Sequence, residues 1–208
     1  MSSTTITPDI TAAAERAAAS YERARQRIAM HAFVILLCLV GLFFAHEFSH
    51  ALAALALGGR ILSLNVLGVQ WIPALELRTE FGFGGYTAWL IPFNSVSTRL
   101  IVVAGSTGTL LIAMSAALAL NLFRPRGLGR TALVALSLYF ADSVIHILPV
   151  LGKTSNAAPP WVRSFAEAHY ALLDLGVRSE IYLTFVFASA LLILALLFCN
   201  FYFTRHLP

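Results

Sequence analysis

Charge is scarce in this sequence. Lysine, arginine, aspartate and glutamate make up only 12% of its 208 residues, while 59% are hydrophobic. A soluble globular domain carries roughly 25% charged residues, so the composition excludes an ordinary soluble fold and indicates an integral membrane protein. Cysteine is nearly absent. The two present, Cys38 and Cys199, lie in different apolar runs without CxxC spacing, which excludes a disulfide framework and leaves them as packing residues. No internal repeat and no low-complexity tract appears. A net charge of +4 is modest, and the arginines flank apolar runs. They read as membrane anchors, with no nucleic-acid partner. A secretory leader is missing too: the first thirty residues are polar and helix-prone, and the first apolar run is too long for an h-region, so it reads as a signal anchor.

What is present is a set of long apolar runs. The expected fold is a mainly α membrane protein with four transmembrane helices, over about 32–57, 98–123, 131–151 and 181–203. A small β-hairpin or sheet is inserted after the first and an amphipathic helix precedes the fourth. Residues 1–31 form a polar, basic tail with an interfacial helix from about Thr11 to Met30, and 32–208 form the membrane-embedded domain. Gly58-Gly59-Arg60 ends span one. Between 61 and 90, Ile61–Val66 and Leu75–Phe81 alternate apolar and polar, the period of two or three short strands. Such a sheet is either a structural cap or an edge that receives an extended peptide by strand addition. Trp161–Leu175 reads as the amphipathic helix, with Trp161, Phe165, Leu172 and Leu175 near one face. His31, His169 and His206 read as interfacial. Span four has no ionisable residue and reads as scaffold. Eight Lys/Arg flank one side of the spans and six the other, a small margin for an inside N-terminus. The expected location is a bacterial plasma membrane, with lipids as partners.

One motif stands out against this background: His46-Glu47-Phe48-Ser49-His50, a His-Glu-x-x-His pattern inside span one. Positions i and i+4 share a helix face, so two imidazoles can hold one metal. Ionisable side chains in hydrocarbon are expensive, and they face the protein interior. Span three carries a second pair, Asp142 and His146. Spans one and three run parallel, and His46 and His50 lie about 21 and 27 Å from the start of theirs, Asp142 and His146 about 16 and 22 Å. The two pairs therefore share a depth and point to one buried polar site. Two imidazoles and a carboxylate with an open fourth position form the layout of a catalytic zinc. Asp142 is the expected carboxylate ligand, and His146 is expected to support packing or substrate binding. Glu47, turned off the ligand face, suits a general base that takes a proton from the attacking water and passes it to a leaving amine.

These residues resemble a known family. His46-Glu47-Phe48-Ser49-His50-Ala51-Leu52-Ala53-Ala54, followed by Gly58-Gly59-Arg60, is similar to the signature of the site-2-protease-like M50 intramembrane metalloproteases, most of all their small M50B-like branch. The short strands, Gly85-Tyr86 and Val103-Ala104-Gly105-Ser106-Thr107-Gly108 fit the same pattern, the last with Ser for the family's Pro. The resemblance covers about residues 32–160. It implies Zn2+, Glu47 as catalytic base, and hydrolysis of peptide bonds in a membrane-embedded protein or peptide substrate. The family's third ligand is an aspartate after span three, where this chain has Thr154-Ser155-Asn156-Ala157. Either Asp142 replaces it, or Asn156 serves as a weaker neutral ligand, or zinc is poorly held and the chain is an inactive binding or chaperone module. A different class also uses buried histidines: a haem-binding four-helix membrane protein, with His46 or His50 and His146 as axial ligands.

Overall fold

The computed structural model describes residues 8–78, 85–91, 95–151 and 166–206. Helix α1 spans Pro8–Ala56, 49 residues, or about 73 Å at 1.5 Å per residue. The expected break between an interfacial helix and span one is not there. No glycine or proline interrupts residues 9–40, and the Ala-, Arg- and Glu-rich segment continues directly into the apolar one. The helix ends where Gly58 takes φ 79°, and the Gly59 amide closes onto the Ala54 carbonyl at 2.8 Å.

Four strands follow, one more than the upper expectation: β1 (Arg60–Val66), β2 (Val69–Ile72), β3 (Glu76–Leu77) and β4 (Gly85–Leu90). Leu67 and Gly68, both at positive φ (55° and 76°), form the two-residue turn that matches strand twist. All pairings are antiparallel, in the order β3-β2-β1-β4. β4 is therefore paired to β1 on one side and is an edge of the sheet.

Helix α2 spans Ser95–Phe123. Span three is not one regular helix. It divides into α3 (Gly127–Ser137) and α4 (Phe140–Ile147), continued by a 3-10 turn at Leu148–Val150. The division falls where the Ser137 hydroxyl bonds back to the Leu133 carbonyl at 2.7 Å, a bond that bends helices. There the Tyr139 hydroxyl also donates to the Cys38 carbonyl of α1. Helices α5 (Glu167–Asp174) and α6 (Ser179–His206) complete the chain.

Among the described residues, four stretches are long and apolar enough to cross a membrane: Ala12–Ala56, Val96–Phe123, Gly127–Val150 and Ser179–Tyr202. Many of their large apolar side chains point outward, including Phe33, Leu36, Leu111, Leu191 and Phe198. Two buried clusters hold the bundle. Leu110, Ala113, Ala117, Leu120, Tyr139, Ile193 and Leu197 join α2, α6 and the span-three break. Ile147, Val150, Ala168, Tyr170, Tyr182 and Val186 fix α5 between span three and α6.

Candidate metal centre

His46, Glu47 and His50 are all buried, on the stretch of α1 that α2, α4, α5 and β4 surround. Close approach of α2 depends on glycine. A Cβ on Gly105 would fall 2.4 Å from His50 Nε2 and 2.6 Å from His46 Nε2, and one on Gly108 would overlap the Ser49 side chain. The open face left by Gly105 is where both Nε2 atoms sit.

The other ring nitrogens define the tautomers. His46 Nδ1 lies 2.9 Å from Asp142 Oδ2, and His50 Nδ1 lies 2.7 Å from the Ile101 carbonyl oxygen. Carboxylate and carbonyl oxygens only accept, so each Nδ1 is assigned the proton and each Nε2 of the neutral rings is a lone pair. Both lone pairs meet the same atom. Glu167 Oε1 is 3.2 Å from His46 Nε2 and 3.0 Å from His50 Nε2. Burial pushes the Glu167 carboxyl up, but protonated His46 and His50 rings, by hydrogen bonds and charge, outweigh it and hold the group at about 2; a metal cation in place of those protons acts in the same direction. Glu167 is thus an anion at neutral pH. Three acceptors converging on one point repel unless a proton or a metal cation lies among them. His46, His50 and Glu167 form one of two groups of ligand atoms close enough to hold a metal ion. Two imidazoles and a carboxylate are a donor set that suits zinc, so residues and cradle fit the ion the motif implies.

Asp142 was the expected third ligand, and the structure gives it another place. Its carboxylate takes the Nδ1 side of His46 and accepts from the Thr109 hydroxyl at 2.7 Å. Among the described residues, no group of convergent ligand atoms contains His46, His50 and Asp142 together. The second group is His46, Asp142 and His146, which shares only His46 with the first. A carboxylate on the far nitrogen of a ligating histidine fixes its tautomer and raises its basicity. His146 stands on the Asp142 side of His46. Its Nδ1 is 3.3 Å from Asp142 Oδ1 and its ring stands 5.2 Å from that of His46. Asn156, the alternative ligand, lies outside the described residues.

Glu167 is the residue that sequence reasoning missed. It opens α5, whose other end is tied to α2 by the Asp174–Arg99 ion pair. The helix was expected at an interface. Its described part is packed into the protein instead, with Ala168, His169, Tyr170 and Ala171 buried. His169 donates to or accepts from Ser179 Oγ at 2.8 Å and stands against Tyr170 and Tyr182, and burial lowers its pKa. Trp161 and Phe165 lie outside the described residues, as does the side chain of His206. His31, expected at a span edge, is half-buried there against Thr131.

Glu47 is held by β4. The Thr87 hydroxyl donates to Glu47 Oε2 at 2.7 Å and lies 3.1 Å from the Glu47 carbonyl oxygen. Two residues back, a Cβ on Gly85 would fall 2.3 Å from Glu47 Oε1. Two residues on, Trp89 stacks over His50 with centroids 6.0 Å apart. Gly85, Thr87 and Trp89 share one face of the strand, so β4 lies along the whole motif. Comparison with family models, curated proteins and solved structures found no match to this chain.

Proposed function

We propose that this chain is an intramembrane zinc-dependent peptidase. The observation that carries the reading is the convergence of His46 Nε2, His50 Nε2 and Glu167 Oε1, with the Glu47 carboxylate fixed beside it by Thr87. His46, His50 and Glu167 would hold the ion. A zinc ion there supplies Lewis acidity toward water and toward a peptide carbonyl.

The remaining work falls to the chain's own groups. Glu47 Oε2 is bonded to Thr87, and its second oxygen faces the Cβ-free side of Gly85. That oxygen is the one placed to accept a proton from water and return it to the leaving amine. Asp142 holds the His46 Nδ1 proton, so that Nε2 stays available as a donor. β4, the sheet edge nearest the motif among the described residues, is where an extended peptide would add as a further strand. Trp89 on that strand closes one wall over His50. Glu167, whose side chain is 31% exposed, marks the more open side. Both ring nitrogens of His46 face carboxylates, an arrangement that favours metal chemistry over haem axial ligation.

Glu47→Gln keeps shape and hydrogen-bonding atoms but removes the base. Purified in detergent and mixed with a library of membrane-segment peptides, wild type should cleave and the variant should lose at least about 100-fold in rate, the low end for a general base. Its zinc content should match wild type. Cleavage at wild-type rate by the variant would remove Glu47 from the role; absence of zinc from both would remove the metal.

A further inference from the structure

A groove of about 470 Å³ lies far from the metal centre, between the polar part of α1 and the start of α3. Arg23, Arg27 and His31 line it from α1, at i, i+4 and i+8 on one helix face. Gly127 and Leu128 line it from α3, and Met30 completes an apolar wall. We propose that this groove binds the phosphate headgroup of an anionic phospholipid.

The chemistry of the walls carries the assignment. Arg23 and Arg27 are exposed, and neither forms an ion pair with a described acidic residue. The neighbouring Glu22 is taken by Arg25 at 3.6 Å. Two unneutralised guanidinium groups one helical turn apart match the fork-like recognition of phosphate oxygens. Opposite them, α3 begins without a side-chain cap and without an acidic residue in its first turn. Its first amides are therefore open and favour negative charge. His31 Nδ1 meets Thr131 Oγ1 at 2.6 Å and fixes the two walls together.

The position selects a lipid over a soluble anion. Span two ends at Phe123 and span three begins at Gly127, while the apolar run of α1 begins at Ala32. The groove thus lies at the level where headgroups meet hydrocarbon. Arg124 and Arg126 in the intervening turn are exposed at the same level. Met30 and Leu128, 49% and 38% exposed, lead from the cationic rim toward the outward-facing Phe33 and offer a surface for an acyl chain.

The test is native mass spectrometry of the full chain in a neutral detergent, titrated with phosphatidylglycerol. Wild type should retain the lipid, and Arg23→Gln/Arg27→Gln should bind it about 25-fold more weakly, from about five-fold per arginine at an anionic surface. Arg16→Gln/Arg25→Gln removes the same charge from the same helix outside the groove and should change binding less than about three-fold. All four arginines are exposed, so neither variant disturbs packing. Equal losses in the two variants, or none in the first, would overturn the site. Phosphatidylcholine binding as tightly as phosphatidylglycerol would overturn the anionic selectivity. Displacement of the lipid by excess inorganic phosphate would transfer the site to a soluble anion and overturn the lipid assignment.

Discussion

At the scale of single residues, the two carboxylates around His46 have separable roles. Glu167 touches Nε2 of both histidines, whereas Asp142 touches Nδ1 of one. Glu167→Ala should therefore abolish stoichiometric zinc binding. Asp142→Asn should keep the metal but weaken it by about 10- to 100-fold, the usual cost of losing an outer partner of a ligating histidine. Competition against a chelator of known affinity measures both. If Asp142→Asn released zinc and Glu167→Ala did not, the assignments would be exchanged. Sequence reasoning placed Asp142 and His146 beside His46 because rise per residue gives depth. It could not say which ring nitrogen Asp142 would meet, because depth carries no azimuth. A signal for Glu167 was nevertheless present. Of ten acidic residues, only Glu167, Asp174 and Glu180 fall between the expected spans three and four. The helix expected over Trp161–Leu175 gave an apolar stripe, and an acidic residue in the middle of such a helix reads as part of its solvated face.

At the scale of elements, the site exists because two small residues let α2 come down on α1. Gly105 and Gly108 are three apart and share a face, and each meets a side chain of the motif turn. A larger residue at either must move helix or ligand. Gly108→Val should destabilise the protein by about 1–3 kcal/mol, as overpacking does, read as a lower unfolding midpoint in detergent. Gly105→Ala should cost zinc affinity as well, because the added carbon meets both Nε2 atoms. A fully stable, zinc-replete Gly105→Ala protein would mean that α2 does not pack as described. In the sequence, Gly105 and Gly108 stood out within the family-like Val103–Gly108 segment; small residues allow close helix approach, but which partner they met was not legible.

Helix α5 gives an element-scale expectation for pH. Burial holds the pKa of His169 below its ordinary value of about 6.5. Its surroundings are Tyr170, Tyr182 and Ser179, none of them charged at neutral pH. The unfolded chain therefore binds a proton here before the folded one does, so stability is full above pH 6.5 and falls as pH drops below it. His169→Gln should flatten the part of the acid dependence that this group supplies. Equal slopes of unfolding midpoint against pH in the variant and wild type would show that His169 stays solvated.

At the scale of the whole molecule, the three ligands join parts of the chain that share little else. His46 and His50 come from the last turns of a 49-residue helix, and Glu167 from the 8-residue helix that connects span three to span four. The rest of the α5 anchorage is the Arg99–Asp174 pair and the cluster around Tyr170 and Tyr182. A cation held by these three groups would therefore work as a cross-link between the first and last quarters of the sequence. Anything that binds the folded state alone stabilises it, by about 4 kcal/mol at a thousand times its dissociation constant. Without the cation, a proton on an imidazole is what joins Glu167 to the two rings, a single charge in place of two and so a weaker hold on α5. Chelation should thus lower the unfolding midpoint of wild type. In a zinc-loaded sample, amides of α5 should also be protected from hydrogen exchange more than in the chelated one, while those of α6 change little. Glu167→Ala should melt near the chelated wild type and be insensitive to chelator. Identical exchange in α5 with and without zinc would mean that the carboxylate does not reach the ion, and the ligand set would then have to be sought elsewhere.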